Sequence, residues 1–199
     1  ERHTSDPDAE MQTFRQALAS VKQDMRNLGV GLEGKLSSEE LALFNVYISM
    51  LDDDSLGGEV IETIKSGQTA QSAWSSVILK HVRTFRHMED PYLRERASDV
   101  EGLGKRVLGY LQQTDEKKKP LPRRIVLVGE NLSATELADI PVDRLVGIVS
   151  LKGASNSHMA IVGRALGIPT VMGALDMPCA ELEGKELIVD GFTGDVVSH

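Results

Sequence analysis

Five histidines are the residues of this 199-residue sequence best suited to group transfer at neutral pH. His3 and His199 stand at the chain ends, and His81 and His87 fall in a basic helical stretch where a solvated face accounts for both. His158 is different. It follows Gly153-Ala154-Ser155-Asn156-Ser157, a run of small and polar residues, and it opens a stretch of helical composition after a strand. A helix N-terminus presents unpaired backbone N–H groups and a partial positive charge. That field disfavours imidazolium, so it favours a neutral, nucleophilic ring. The same donors would stabilise an anion carried on the ring, such as a phosphoryl group. Ser155, Asn156 and Ser157 add hydroxyl and amide donors, and their small side chains let a bulky donor approach. For the histidine alone, a capping or packing role is the competing reading.

Other chemistries find less support. Neither GxxxxGK[ST] nor GxGxxG occurs, which removes the common nucleotide cradles. A helical metal pair would need a ligand three or four residues beyond His158, and those positions hold Ile161 and Val162. No GxSxG elbow supports a serine triad. The run Asp52-Asp53-Asp54 lacks the glycine and glutamate of a calcium loop. A single cysteine, Cys179, excludes an internal disulfide and points to a reducing, cytoplasmic setting.

Two kinds of element must position these residues. Asp6-Pro7 starts an amphipathic helix with Met11, Phe14, Leu18, Val21, Met25 and Leu28 on one face, expected to end at Gly29. Ser37 and Glu40 form a capping box before a second helix. A short third helix carries Val60, Ile61 and Ile64, a fourth runs from about Thr69 to Met88, and Asp90-Pro91 starts a fifth. QTDEKKKPLP, residues 113–122, reads as a linker. Beyond it the pattern changes to strands at 125–128, 145–149 and 170–172, a helix from His158, and a closing hairpin at 186–190 and 195–197. Ser133 and Glu136 should cap a brief helix between the first two strands. The division is a helical bundle over 1–118 and an α/β unit over 119–199.

Charge is distributed unevenly. The chain carries a formal −8, and residues 1–64 alone hold 5 basic and 13 acidic residues. This acidity argues against nucleic acid as a partner, and no apolar run approaches the ~20 residues of a membrane span. The acidic third is either a solvated surface or a docking face for a basic partner.

Residues 153–173, GASNSHMAIVGRALGIPTVMG, resemble the phosphohistidine motif of the phosphoenolpyruvate-utilising enzymes, with Ser157, His158, Arg164, Gly167, Ile168 and Pro169 matching the family pattern. Residues 88–108, MEDPYLRERASDVEGLGKRVL, are similar to a helix of Enzyme I of the bacterial phosphotransferase system, which disfavours a dikinase-type enzyme. Ala154 and Asn156, standing where the family has Gly and Thr, make the loop look like the nitrogen-related branch. The resemblance implies an α/β phosphohistidine (swivelling) domain preceded by an α-helical subdomain that docks a small histidine phosphocarrier protein. His158 would take a phosphoryl group from phosphoenolpyruvate on Nε2 and pass it to the carrier, with Ser157 and Asn156 in support. Arg164 would contact phosphate or carrier, or form a structural ion pair; at about 600° around a helix from His158 it does not share that residue's face. A Thr that pairs with the histidine in the sugar branch aligns with Leu137. Docking would fall to Asp52, Asp53, Asp54 and Glu59, with Leu51, Leu56 and His81 as neighbours. The chain is expected to be a monomeric N-terminal fragment without a cofactor of its own, phosphoenolpyruvate and Mg²⁺ belonging to a barrel domain beyond it. A regulatory module that binds the carrier without turnover is the alternative.

Overall fold

A computed structural model describes residues 2–112, 120–153, 157–174, 176 and 178–198, which form two compact units. The first comprises residues 1–31 and 41–117, the second residues 32–40 and 118–199.

The helical unit contains α1 (Pro7–Gly31), α2 (Ser38–Met50), α3 (Leu56–Lys65), α4 (Ala70–Arg86) and α5 (Pro91–Gln112). Asp6 caps α1, its Oδ1 accepting the N–H of Ala9 at 3.1 Å. The predicted stripe is buried, from Phe14 through Leu18, Val21 and Met25 to Leu28. The helix runs through Gly29 because Gly34, at φ 82°, makes the left-handed turn instead. Ser37 Oγ accepts the N–H of Glu40 at 3.2 Å and donates to its carboxylate at 2.9 Å, so the capping box forms through the hydroxyl.

The core of this unit is built where α4 meets α5. Trp74, 1% exposed, donates Nε1–H to the carbonyl of Gly104 at 3.0 Å. A Cβ on Gly104 would stand 2.8 Å from Ile78 Cγ2, so the glycine lets the two helices approach. Phe14 of α1 meets the Trp74 ring at a centroid distance of 5.7 Å. A buried polar bond ties α2 to α5, Tyr47 donating its hydroxyl to Asp99 Oδ1 at 2.7 Å.

Three parallel strands, β1 (Ile125–Gly129), β2 (Leu145–Ser150) and β3 (Thr170–Met172), form a sheet of order β1-β2-β3 in the second unit. Two 3₁₀ turns, Ala134–Asp139 and Val142–Arg144, carry the chain from β1 to β2, and α6 (His158–Ala165) carries it from β2 to β3. A short helix α7 (Cys179–Leu182) precedes the antiparallel hairpin of β4 (Leu187–Val189) and β5 (Val196–Ser198). The central strand is the most buried, with Ile148, Val149 and Ser150 at 0% exposure, as expected of a parallel strand covered on both faces.

Residues 32–40, which include the first turn of α2, fall with the α/β unit, and Leu32 and Leu36 among them are buried. The brief helix expected after Ser133 forms as a 3₁₀ helix: Ser133 Oγ accepts from the N–H of Thr135 at 3.3 Å, while Glu136 N–H bonds the Ser133 carbonyl at 3.1 Å.

Candidate functional site

His158 is the first residue of α6, and Ser157 is its N-cap at φ −64° and ψ 158°. Ser157 is buried, and its Oγ accepts the N–H of Ala160 at 3.2 Å while its carbonyl accepts that of Ile161 at 3.0 Å. This is the geometry of a helix whose first turn is closed by the residue before the imidazole. His158 itself is half-buried, whereas Met159, Ala160 and Val162 enter the core. The imidazole is therefore carried on a short helix whose core-facing residues are buried.

That anchoring comes from two neighbours, since α6 packs on β3 and on the 3₁₀ turn Ala134–Asp139. Gly163 faces Thr170 so closely that a Cβ there would overlap Thr170 Oγ1. Past the helix, the N–H groups of Leu166, Gly167 and Ile168 bond the carbonyls of Val162, Arg164 and Gly163 at 3.0 Å each, and Gly167 takes φ 69°. The Gly-Ile-Pro segment thus closes α6 and leads directly into β3.

Of the residues read from sequence, Ser157 and His158 stand together as expected. Asn156 lies outside the described residues. Arg164 is exposed in the last turn of α6, about 9 Å further along the helix axis at the usual rise. Its charge there complements the carbonyl end of the helix. Leu137, at the position of the family's threonine, is 1% exposed and belongs to the core.

The acidic region is organised by His81, which the sequence placed beside it, and by Lys22 and Lys80, which it did not single out. Glu59, in the first turn of α3, meets Lys80 Nζ and His81 Nε2 of α4 at 2.6 Å each. The hydrogen bond from His81, and then that from Lys80, hold the Glu59 carboxyl below its ordinary range against an opposing effect of burial. Asp52 meets Lys22 Nζ of α1 at 2.6 Å, whereas Asp53 and Asp54 are exposed on the α2–α3 turn. Leu51 at 0% and Leu56 at 7% exposure are core residues. Their expected place as docking neighbours is corrected: they anchor the turn from inside. The turn is tight because α3 opens with glycines, a Cβ on Gly57 standing 2.5 Å from the Leu51 carbonyl oxygen.

Among the described residues, no group of three or more His, Cys, Asp or Glu is placed to hold a metal ion, and no helix is long and apolar enough to cross a membrane.

Comparison with known proteins assigns the two halves of the chain to one family of enzymes. Residues 1–96 match the family model of the N-terminal domain of PEP-utilising enzymes, and residues 121–194 match that of the mobile domain of the same enzymes. The chain belongs to the phosphoenolpyruvate-utilising enzyme family. Within that family its likeness is to the N-terminal domain of Enzyme I. A solved structure titled "N-terminal domain of Enzyme 1 - Nitrogen" is 38% identical, with a TM-score of 0.67 over 98% of this chain and 80% of its own. An NMR structure of Enzyme I shares the fold at a TM-score of 0.69 and 24% identity, covering 100% of this chain and 82% of its own. An Escherichia coli K12 protein described as "Phosphoenolpyruvate-dependent phosphotransferase system" is 40% identical over 194 residues, 98% of this chain and 26% of its own length. A Staphylococcus aureus "Phosphoenolpyruvate-protein phosphotransferase" is 28% identical over 195 residues, 97% of this chain and 34% of its own. The chain thus spans about a quarter to a third of the curated relatives it matches.

Proposed function

We propose that this chain is the phosphotransfer portion of a nitrogen-branch Enzyme I and that His158 carries the phosphoryl group. The observation that carries the reading is the place of His158, half-buried at the capped start of α6 in the segment that matches the mobile domain. In the loading step an N–P bond forms at Nε2, and the P–O bond of phosphoenolpyruvate breaks with the electron pair leaving on the enolate oxygen of pyruvate. In the second step a histidine nitrogen of a small phosphocarrier protein attacks the same phosphorus, and the N–P bond to His158 breaks. The α6 amides and the Ser157 hydroxyl favour the negative charge that the ring then bears.

The helical unit docks the carrier through the exposed Asp53 and Asp54, with the paired groups of Glu59, Lys80 and His81 beside them. We assign no cofactor to this chain: phosphoenolpyruvate and Mg²⁺ belong to the remaining length of the relatives. The setting is cytoplasmic, and the chain is monomeric.

The test runs the second step backwards. Incubation with a nitrogen-branch carrier phosphorylated on histidine should label the chain with an acid-labile phosphoryl group, and His158→Ala should abolish the label. Labelling of the alanine variant would overturn the site. Carrier binding without any labelling of the unsubstituted chain would leave a regulatory binding module instead. Phosphoenolpyruvate alone should not label the chain.

A further inference from the structure

Ser150 ends β2 at 0% exposure, and its hydroxyl is used twice. Oγ donates to the carbonyl of Lys152 at 2.6 Å and accepts the N–H of Leu132 at 3.4 Å. Those two groups belong to different elements. Lys152 is the root of the segment that leads to His158, whereas Leu132 leads into the 3₁₀ turn Ala134–Asp139, on which α6 packs. The hydroxyl therefore joins the two approaches to the helix that carries the imidazole.

Backbone bonds concentrate at the same point. The N–H groups of Leu151 and Lys152 bond the carbonyls of Gly129 and Glu130 at 3.0 and 2.8 Å, and the Ser150 carbonyl accepts the N–H of Ala174 at 3.1 Å. Gly153 follows at φ 107°, a conformation that suits glycine, and a Cβ there would stand 2.8 Å from Met172 Cε. None of these bonds holds Leu132. The Ser150 hydroxyl reaches Leu132 from the end of β2, and the exposed Lys152–Glu130 pair, Nζ to Oε1 3.1 Å, lies outside it. With alanine at 150, the buried Leu132 N–H would lose the Ser150 oxygen as its acceptor, a loss that favours a shift of the 130–133 turn relative to the end of β2.

We infer that Ser150 is a positioning residue for His158: its buried hydroxyl ties the 3₁₀ turn on which α6 packs to the Leu151–Gly153 segment that follows β2, so that α6 presents the imidazole in one orientation. The inference rests on the proposed phosphotransfer reading for its consequence and on the hydrogen bonds alone for its structural content. The residue touches no reacting atom in this reading.

Two measurements keep those parts distinct. The first is amide hydrogen exchange. In the unsubstituted chain the Leu132 and Ala160 amides should be protected, and Ser150→Ala should speed exchange at both by at least about tenfold while α4 and α5 stay unchanged. Ser150→Thr, which keeps the hydroxyl, should restore protection. The second is phosphoryl transfer from a histidine-phosphorylated carrier. Ser150→Ala should lower the transfer rate by about tenfold with carrier affinity unchanged, and Ser150→Thr should recover most of it. A Leu132 amide that exchanges freely in the unsubstituted chain, or an alanine variant that transfers at the normal rate, would overturn the inference. If the unsubstituted chain takes up no phosphoryl group, the functional reading fails, and Ser150 is judged by exchange at Leu132 and Ala160 alone.

Discussion

Ser157 Oγ lies 3.2 Å from the backbone nitrogen of Ala160, so the residue immediately before the candidate phosphoryl carrier also closes the first turn of the helix that bears it. One side chain thus closes the helix directly beside the candidate carrier. The cap fixes where α6 begins, and the start of α6 fixes where the imidazole stands.

Replacing Ser157 by alanine should lower stability by about 1 kcal/mol, the usual value of a lost N-cap. Ser157→Thr should recover most of it. Urea unfolding followed by a probe in the α/β unit reads the effect, and an alanine variant as stable as the parent would mean that the hydroxyl does not cap.

Gly163→Ala tests the seating of α6 on β3. Helix propensity alone would favour alanine by about 1 kcal/mol. The new Cβ would instead overlap Thr170 Oγ1, which sits on a stiff β-branched side chain and donates to the Ile168 carbonyl at 2.9 Å. Overpacking of this kind costs about 1–3 kcal/mol, so we expect net destabilisation in thermal or urea unfolding. Adding Thr170→Ala should recover part of the loss.

Glu59 should make stability depend on acid pH. Its carboxyl is held low by His81 first and Lys80 second. A group whose pKa is lowered by folding contributes stability above its unfolded value, and that contribution fades as pH falls through the folded one. Unfolding measured between about pH 6 and pH 3 should therefore show a shallower decline for Glu59→Gln than for the parent. Identical slopes would show that the pair to His81 does not persist in solution.

Asp53 and Asp54 are exposed, while Asp52 is held by Lys22. Reversing the first two to lysine should weaken carrier binding several-fold at low salt and flatten its salt dependence, because exposed charges act through a screened field. Titration calorimetry at two ionic strengths measures both. Reversal of Asp52 should in addition destabilise the helical unit modestly, since it turns an attraction to Lys22 into a repulsion.

Local signals in the chain were read well where they were sufficient. The Asp6-Pro7 start, the Ser37 box and the apolar stripe of α1 appear as expected, and β3 spans Thr170–Met172 as its composition indicated. Periodicity and capping depend on neighbours three or four residues apart, so they are legible without a fold. Leu51 and Leu56 show the limit. An aliphatic residue beside an acidic run fits a docking edge or a core equally well, and the close approach of the α2–α3 turn to Gly57 decided for the core. Glu59 shows it again, because Lys80 and His81 lie 21 and 22 residues away in sequence.

His158 and its small-residue approach could be named from spacing, since a strand, a loop and a helix start are local events; that Ser157 caps the helix came from the structure. Which buried groups hold that helix could not be named from spacing. The Ser150 hydroxyl reaches Leu132 across 18 residues, and Gly163 meets Thr170 across the α6–β3 interface. Such contacts depend on how a parallel sheet registers its strands and on which turn packs against the crossover helix. Chemistry at the site is written in adjacent residues; the constraint on its orientation comes from distant ones, brought together only when the hydrophobic faces of β2 and α6 are buried.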